Sequence, residues 1–234
     1  MKKIFIFLFL LSCIKLDNTI PSISKYNVIA NLIVGNDTQY VFFDKTYKPT
    51  EEHGKGLEGA KIFVQVKNNI YTFSFPKIID TMKYYYSVFN PSPNDTFFLI
   101  VITPDNETLY SKTISPGNFD IISPIEGETI FIPSNKAIVW TKSDGAFLYK
   151  LNIYKFPRDT ATGSQIPYLS NDTISDLFKY PYLFKESGFH TLNVMSINHD
   201  LYTYINTGKG NILGAEGVFS ISVLKRRKVY IVVP

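Results

Sequence analysis

The chain has 234 residues, 45% of them apolar and 19% charged, a balance that excludes a disordered acidic tail and a multi-span membrane protein and leaves enough apolar side chain to bury a core. Its single cysteine excludes an internal disulfide framework and a thiolate metal cluster. The formal net charge of +4 includes Lys2 and Lys3, and with no other basic block before Lys225 it leaves no nucleic-acid footprint. At roughly 100 to 150 residues per domain, this length suits two small domains. The 16 Tyr and 19 Phe against one Trp, with many Ile, Val and Thr, predict a mostly β chain.

Met1-Lys2-Lys3 is a cationic start, and the apolar run Ile4 to Leu11 that follows is far short of the roughly 20 residues that span a bilayer. It reads as the core of a signal peptide over residues 1–12. It ends in Leu10-Leu11-Ser12-Cys13, which resembles a bacterial lipobox. The resemblance implies cleavage after Ser12, a diacylglycerol on the Cys13 thiol and acylation of the new amino group. Each buried methylene is worth about 0.8 kcal/mol, so acyl chains on Cys13 would make the membrane a partner without a spanning helix. The alternative is an ordinary secretory signal with an incidental cysteine. Residues 13–24 are polar, contain Pro21 and lack periodicity, so they read as a lipidated tether.

From Lys25 on, short apolar or alternating runs are separated by turn residues. Strands are predicted over 26–34, 39–47, 60–66, 70–75, 83–89, 96–103 and 108–114, and their short, regular spacing predicts an all-β sandwich over 25–116. Ser115-Pro116-Gly117 interrupts the pattern, and the domain boundary is expected there. The second module, 117–234, opens on Ile121-Ile122-Ser123-Pro124-Ile125-Glu126-Gly127 and continues to an apolar run ending in Trp140. This phrase resembles the opening of fibronectin-like and immunoglobulin-like modules, in which the tryptophan fills the space between sheets. Further strands are predicted at 129–132, 137–141, 147–156 and 189–197. Between them, 157–188 is a long proline-containing excursion in which Ser175 can cap a helical turn. Asn198 is expected to cap a short helix over 199–205, because its side-chain oxygen can accept from a first-turn amide. After a glycine-rich turn over 207–217, a strand over 218–224 is expected to break at Lys225-Arg226-Arg227-Lys228 before a last strand over 229–233.

Several phrases together carry a family resemblance. Leu57-Glu58-Gly59-Ala60-Lys61-Ile62-Phe63-Val64 is similar to a strand of transthyretin-like and carboxypeptidase-regulatory-like sandwiches. Asn211-Ile212-Leu213-Gly214-Ala215-Glu216-Gly217-Val218-Phe219, preceded by Leu201-Tyr202-Thr203-Tyr204-Ile205, resembles the close of an uncharacterised, domain-of-unknown-function family of Gram-negative outer-membrane lipoproteins. Ala215 stands where that family usually has glycine. The resemblance implies a membrane-anchored, two-part β protein associated with surface receptor systems, and it supplies no catalytic residues.

The residues themselves offer little chemistry. His53, His190 and His199 have no pair at the two- or four-residue separation that puts metal ligands on one face, so no metal site is expected. Gly208-Lys209-Gly210 lacks the rest of a phosphate loop and reads as a turn. The Asn-x-Thr triplets at Asn36, Asn94, Asn106 and Asn171 resemble glycosylation acceptors, but turn chemistry accounts for those between strands. Tyr84 and Tyr86 should share one sheet face and Tyr85 the other, as cross-strand packing rings. The 225–228 tetrad reads as a charged strand tip that discourages edge pairing. The leading expectation is a non-catalytic, lipid-anchored accessory of the cell outer membrane, binding or structural, with no cofactor. Its contact surface is expected on the long loop, with Tyr168, Tyr180 and Tyr182 as ligand-binding residues. A glycan- or peptide-binding accessory of an outer-membrane transporter would instead expose an aromatic platform on one sheet, and an envelope hydrolase would need clustered acids or histidines in a cleft.

Overall fold

The computed structural model describes residues 24–47, 54–155 and 168–234. The signal segment, Cys13, His53 and part of the long excursion lie outside the described residues. What is described is mostly β, with one α-helix.

The first seven strands are β1 (Tyr26–Val34), β2 (Thr38–Lys45), β3 (Lys61–Val66), β4 (Asn69–Ile79), β5 (Met82–Val88), β6 (Thr96–Ile102) and β7 (Thr108–Ile114). Their burial alternates as a period of two requires: in β6, Phe97, Leu99 and Val101 point inward and their neighbours do not. The β1–β2 turn is held by Gln39, whose amide oxygen accepts from Ile33 at 2.7 Å while its nitrogen donates to Asn36 O at 2.6 Å. Strand β4 pairs with β3 up to Phe73 and with β5 from Ser74, and its register shifts between Ser74 and Lys77. One strand therefore passes from the β1-β2-β5 layer to the β3-β6-β7 layer. Val28, Leu32, Val41, Phe43 and Tyr85 from the first layer meet Ile62, Val64, Phe97, Leu99 and Val101 from the second in one core. Tyr84 packs against Phe42 at 5.7 Å on the outer face while Tyr85 is buried, the split expected of that tyrosine run.

The chain between these strands and the rest is itself buried. Ser115, Pro116 and Gly117 are covered, and Gly117 N–H donates to Asp144 O at 2.7 Å. Beyond it lie β8 (Ile121–Ser123), β9 (Glu128–Phe131), β10 (Ile138–Trp140), β11 (Leu148–Lys155), β12 (Tyr168–Ser170), β13 (Ile174–Ser175), β14 (Gly188–Ile197), α1 (His199–Thr207) and β15 (Glu216–Val232). Trp140 is buried in a second core with Tyr149, Leu151, Leu192, Val194, Val229 and Ile231, as its core reading required. The excursion contributes to this core. Two 3-10 turns, Leu177–Lys179 and Pro181–Leu183, send Leu177, Phe178 and Phe184 into it. Ser175 does not cap them: Asp176 precedes the first turn with no side-chain cap bond, and the Ser175 hydroxyl lies buried in β13 without a hydrogen-bond partner. The cap of α1 is as expected, with Asn198 Oδ1 accepting from Leu201 N–H at 3.2 Å. Gly208, at φ 70°, ends the helix.

The expected break at Lys225–Lys228 does not occur. Strand β15 runs unbroken for 17 residues, pairing parallel to β1 over Glu216–Val223 and antiparallel to β14 over Ser222–Ile231, with β9 alongside Val229–Val232. Backbone pairing with β14 continues through the tetrad, and Lys225 and Arg227 are met by Asp120 and Glu126, so the charges are accommodated within the sheet. Strand β15 as a whole lies inside the sheet, but along the tetrad its ladder is with β14 alone, because the β1 ladder ends at Val223 and the β9 ladder begins at Val229. Twelve strands form one hydrogen-bonded sheet in the order β12-β11-β14-β15-β1-β2-β5-β4-β3-β6-β7, with β9 beside β15, and β13-β10-β8 form a second, smaller sheet.

The glycine-rich phrase before β15 has a local physical reason. Asn211 clamps the strand like an extra ladder rung: its side-chain nitrogen donates to Phe219 O and its oxygen accepts from Phe219 N–H, both at 2.8 Å. Gly217 sits at φ 106°, and a Cβ there would lie 1.9 Å from Val28 O, so only glycine lets β15 approach β1.

Candidate functional site

Cross-strand register decides which side chains share the outward face of the β11-β14-β15 sheet. Phe189 lies opposite Tyr230; Thr191 lies opposite Lys228 on one side and Tyr154 on the other; Asn193 lies between Arg226 and Asn152. Directly opposed residues point to the same side of a sheet, and same-face rows are about 7 Å apart along a strand. The face therefore carries an aromatic row, then a hydroxyl-and-cation row, then an amide-and-guanidinium row.

A depression of about 430 Å³ opens here, lined by Tyr154, Thr191, Asn193, Arg226 and Lys228, with Glu126, Lys155 and Arg227 at its margins. One row along the same face, outside the lining of the depression, Phe189 and Tyr230 meet edge to face, centroids 5.0 Å apart at 84°. Phe189 is 55% exposed. Phe131, opposite Val232 on β9, extends the apolar strip and is 69% exposed.

The cations divide by partner. Lys155 pairs with Glu186 at 2.6 Å, Lys225 with Asp120 at 3.6 Å and Arg227 with Glu126 at 4.0 Å. Arg226 donates instead to neutral oxygens, Asn36 Oδ1 at 2.6 Å and Gly35 O at 3.3 Å. These bonds fix the guanidinium against the β1–β2 turn without cancelling its charge. Asn193 Oδ1 is buried and accepts no hydrogen bond, a condition that costs on the order of 1–3 kcal/mol.

Behind this face, His190 points inward. Its Nδ1 lies 2.9 Å from Gly188 O, and burial holds the imidazole below its ordinary pKa, so it stays neutral. Burial pushes the phenols of Tyr85 and Tyr149 up, and both act as structural hydroxyls, Tyr149 accepting from Ser143 N–H at 2.6 Å. The Lys136 ammonium bonded to Glu128 holds that carboxyl down, opposite to the shift a general acid needs. Among the described residues, no group of three or more His, Cys, Asp or Glu could hold a metal ion, and no helix is long and apolar enough to cross a membrane.

The tyrosines singled out in the sequence lie elsewhere. Tyr180 and Tyr182 come together on the 3-10 turns, centroids 5.8 Å apart, and Tyr182 is 77% exposed. Tyr168 belongs to a different element, β12, where it pairs with Leu151. The sheet-face residues were not singled out, because membership of a common face depends on the β11-β14-β15 register. The readable signal was the period of two in 189–197 and 225–230, which puts Phe189, Thr191 and Asn193 on one side of one strand and Arg226, Lys228 and Tyr230 on one side of the other.

No family model and no curated protein matches the chain. Among solved structures, the fibronectin(III)-like modules of Clostridium thermocellum CbhA align at 10% identity over 89% of this chain and 94% of that one, with a TM-score of 0.25. The FN1-FN3 domains of chicken CNTN1 align at 11% identity over 88% of this chain and 64% of that one, with a TM-score of 0.23. Scores this low carry no argument, and the architecture described above rests on strand pairing and core packing alone.

Proposed function

We propose that this is a non-catalytic binding protein of the bacterial cell envelope, held at the outer membrane by acyl chains on Cys13, with the sheet-face depression as its ligand site. The observation that carries the reading is that face: aromatic, hydroxyl, amide and guanidinium groups in register on paired strands. Rigid strands suit recognition, because their side chains are held in place before a ligand arrives.

The described chain enters β1 beside the Lys25–Asp105 ion pair, and β15 begins next to Asn27 and runs parallel to β1. At about 3.3 Å per residue, Arg226 lies roughly 33 Å along β15 from that entry point. An anchor reaching β1 at this end would thus enter the described chain at the opposite end of β15 from the depression. A glycan- or peptide-binding accessory of an outer-membrane transporter is the second reading, favoured by the exposed Phe131 and Phe189 beside the half-buried Tyr230.

The test combines mass spectrometry of the amino-terminal peptide with fractionation. The peptide should begin at an acylated Cys13, and Cys13→Ser should release the protein from membranes. Tyr154→Ala combined with Arg226→Gln should leave it membrane-bound but abolish cross-linking of envelope material to the sheet face. An unmodified, freely released wild-type chain would overturn the anchoring, and undiminished cross-linking in the double variant would overturn the site.

A further inference from the structure

Taking the sheet face as the ligand site, as proposed above, we infer that its ligand is an acidic saccharide, a run of sugar rings bearing carboxylates. The aromatic row of Phe189 and Tyr230 offers apolar ring surface to the C–H face of a sugar. One row along, at about 7 Å, stand the Thr191 hydroxyl, Lys228 and Tyr154, and the next row carries Asn193 and Arg226. A run of rings starting on the aromatics thus passes the hydroxyl and cationic row first and reaches Asn193 and Arg226 about 14 Å from the aromatic row, so a later ring's carboxylate meets the guanidinium. The charge is specific in location. Lys155, Lys225 and Arg227 face Glu186, Asp120 and Glu126, whereas the partners of Arg226 are neutral. A guanidinium so fixed keeps its positive charge, and its planar fork suits a carboxylate.

Two other ligand classes fit less well. An extended peptide adding to the sheet needs a free strand edge, but β14 is paired on both sides, by β11 and β15. A polyphosphate backbone needs a continuous cationic track, whereas this face places the neutral Thr191, Asn193 and Tyr154 between its two cations, with Glu126 also lining the depression.

The experiment is calorimetric titration of the whole chain with three probes: oligogalacturonate, the same oligomer fully methyl-esterified, and an oligoglutamate of equal charge. Oligogalacturonate should bind, and its affinity should fall with added salt. The methyl ester should bind roughly tenfold more weakly, and Arg226→Gln should cost the acidic form about the same factor while leaving the ester nearly unchanged. Because Arg226 also holds the β1–β2 turn, Lys228→Gln serves as a second charge variant and should show the same selective loss. Tyr230→Ala should weaken both saccharides. Failure of oligogalacturonate to bind, equal binding of the ester, or equal binding of oligoglutamate would each overturn the ligand class. If Tyr154→Ala with Arg226→Gln still abolishes envelope cross-linking, the binding-protein reading stands and only the ligand class falls.

Discussion

The two halves of β15 obey different rules. From Gly217 to Val223 every residue is buried, because the first core covers one face and α1 packs over the other through Leu201 and Val218. Polar residues survive there only with partners: the Ser220 and Ser222 hydroxyls both donate to Asn31 Oδ1 at 3.1 Å. From Leu224 onward only one face is closed. Val229 and Ile231 go to the second core, while Arg226 and Lys228 are exposed. A strand buried on both faces tolerates only small or apolar side chains, and one buried on a single face is free to present chemistry. One continuous strand thus supplies structure in its first half and the candidate site in its second.

Deleting residues 216–232 should have the largest effect. It removes Phe219 and Ile221 from one core and Val229 and Ile231 from the other, so both should unfold, read as loss of the β-sheet circular-dichroism signal and exposure of Trp140 in fluorescence. Phe219→Ala, in the half closed on both faces, should destabilise by about 3–5 kcal/mol in denaturant titration. A loss under 1 kcal/mol would mean that β15 does not complete the first core.

A smaller, pH-dependent effect belongs to His190, which pairs with Val229 behind the site. Its folded pKa lies below the ordinary 6.5, so below that pH the unfolded chain takes up a proton that the folded chain resists. The stability due to neutral His190 is therefore fully present above about pH 6.5 and declines as the pH falls toward the folded value. His190→Gln should flatten that slope in urea titrations run between neutral and mildly acidic pH. The smallest effect is expected at Lys228→Gln, on the open face, which should shift stability by no more than about 0.5 kcal/mol. A larger shift would assign the residue to the scaffold.

Local features were legible in the sequence where the physics is local. The strand positions followed from period-two patterning, Trp140 from its place at the end of an apolar run, and the α1 cap from Asn198. Asn94 and Asn106, read as turn residues, do sit at φ 62° and 64°, a left-handed conformation that asparagine tolerates. The Lys225–Lys228 tetrad misled because four consecutive charges resemble a strand end. Their compatibility with an unbroken strand depends on Asp120 and Glu126, more than 90 residues away in the chain. The candidate face was illegible for the same reason: Thr191 and Lys228 become neighbours only through a register that no local pattern encodes.

The parallel pairing of β1 with β15 also bears on the order of folding. Asn31 and Ser220, bonded across it, are separated by 189 residues, so this contact closes one of the longest loops the chain can form. Until β15 pairs, neither core has its full complement of side chains, and Val28, Leu32 and their neighbours lack the strand that covers them. Both cores should therefore close only once β15 has paired with β1, a step that an exported chain completes after crossing the membrane.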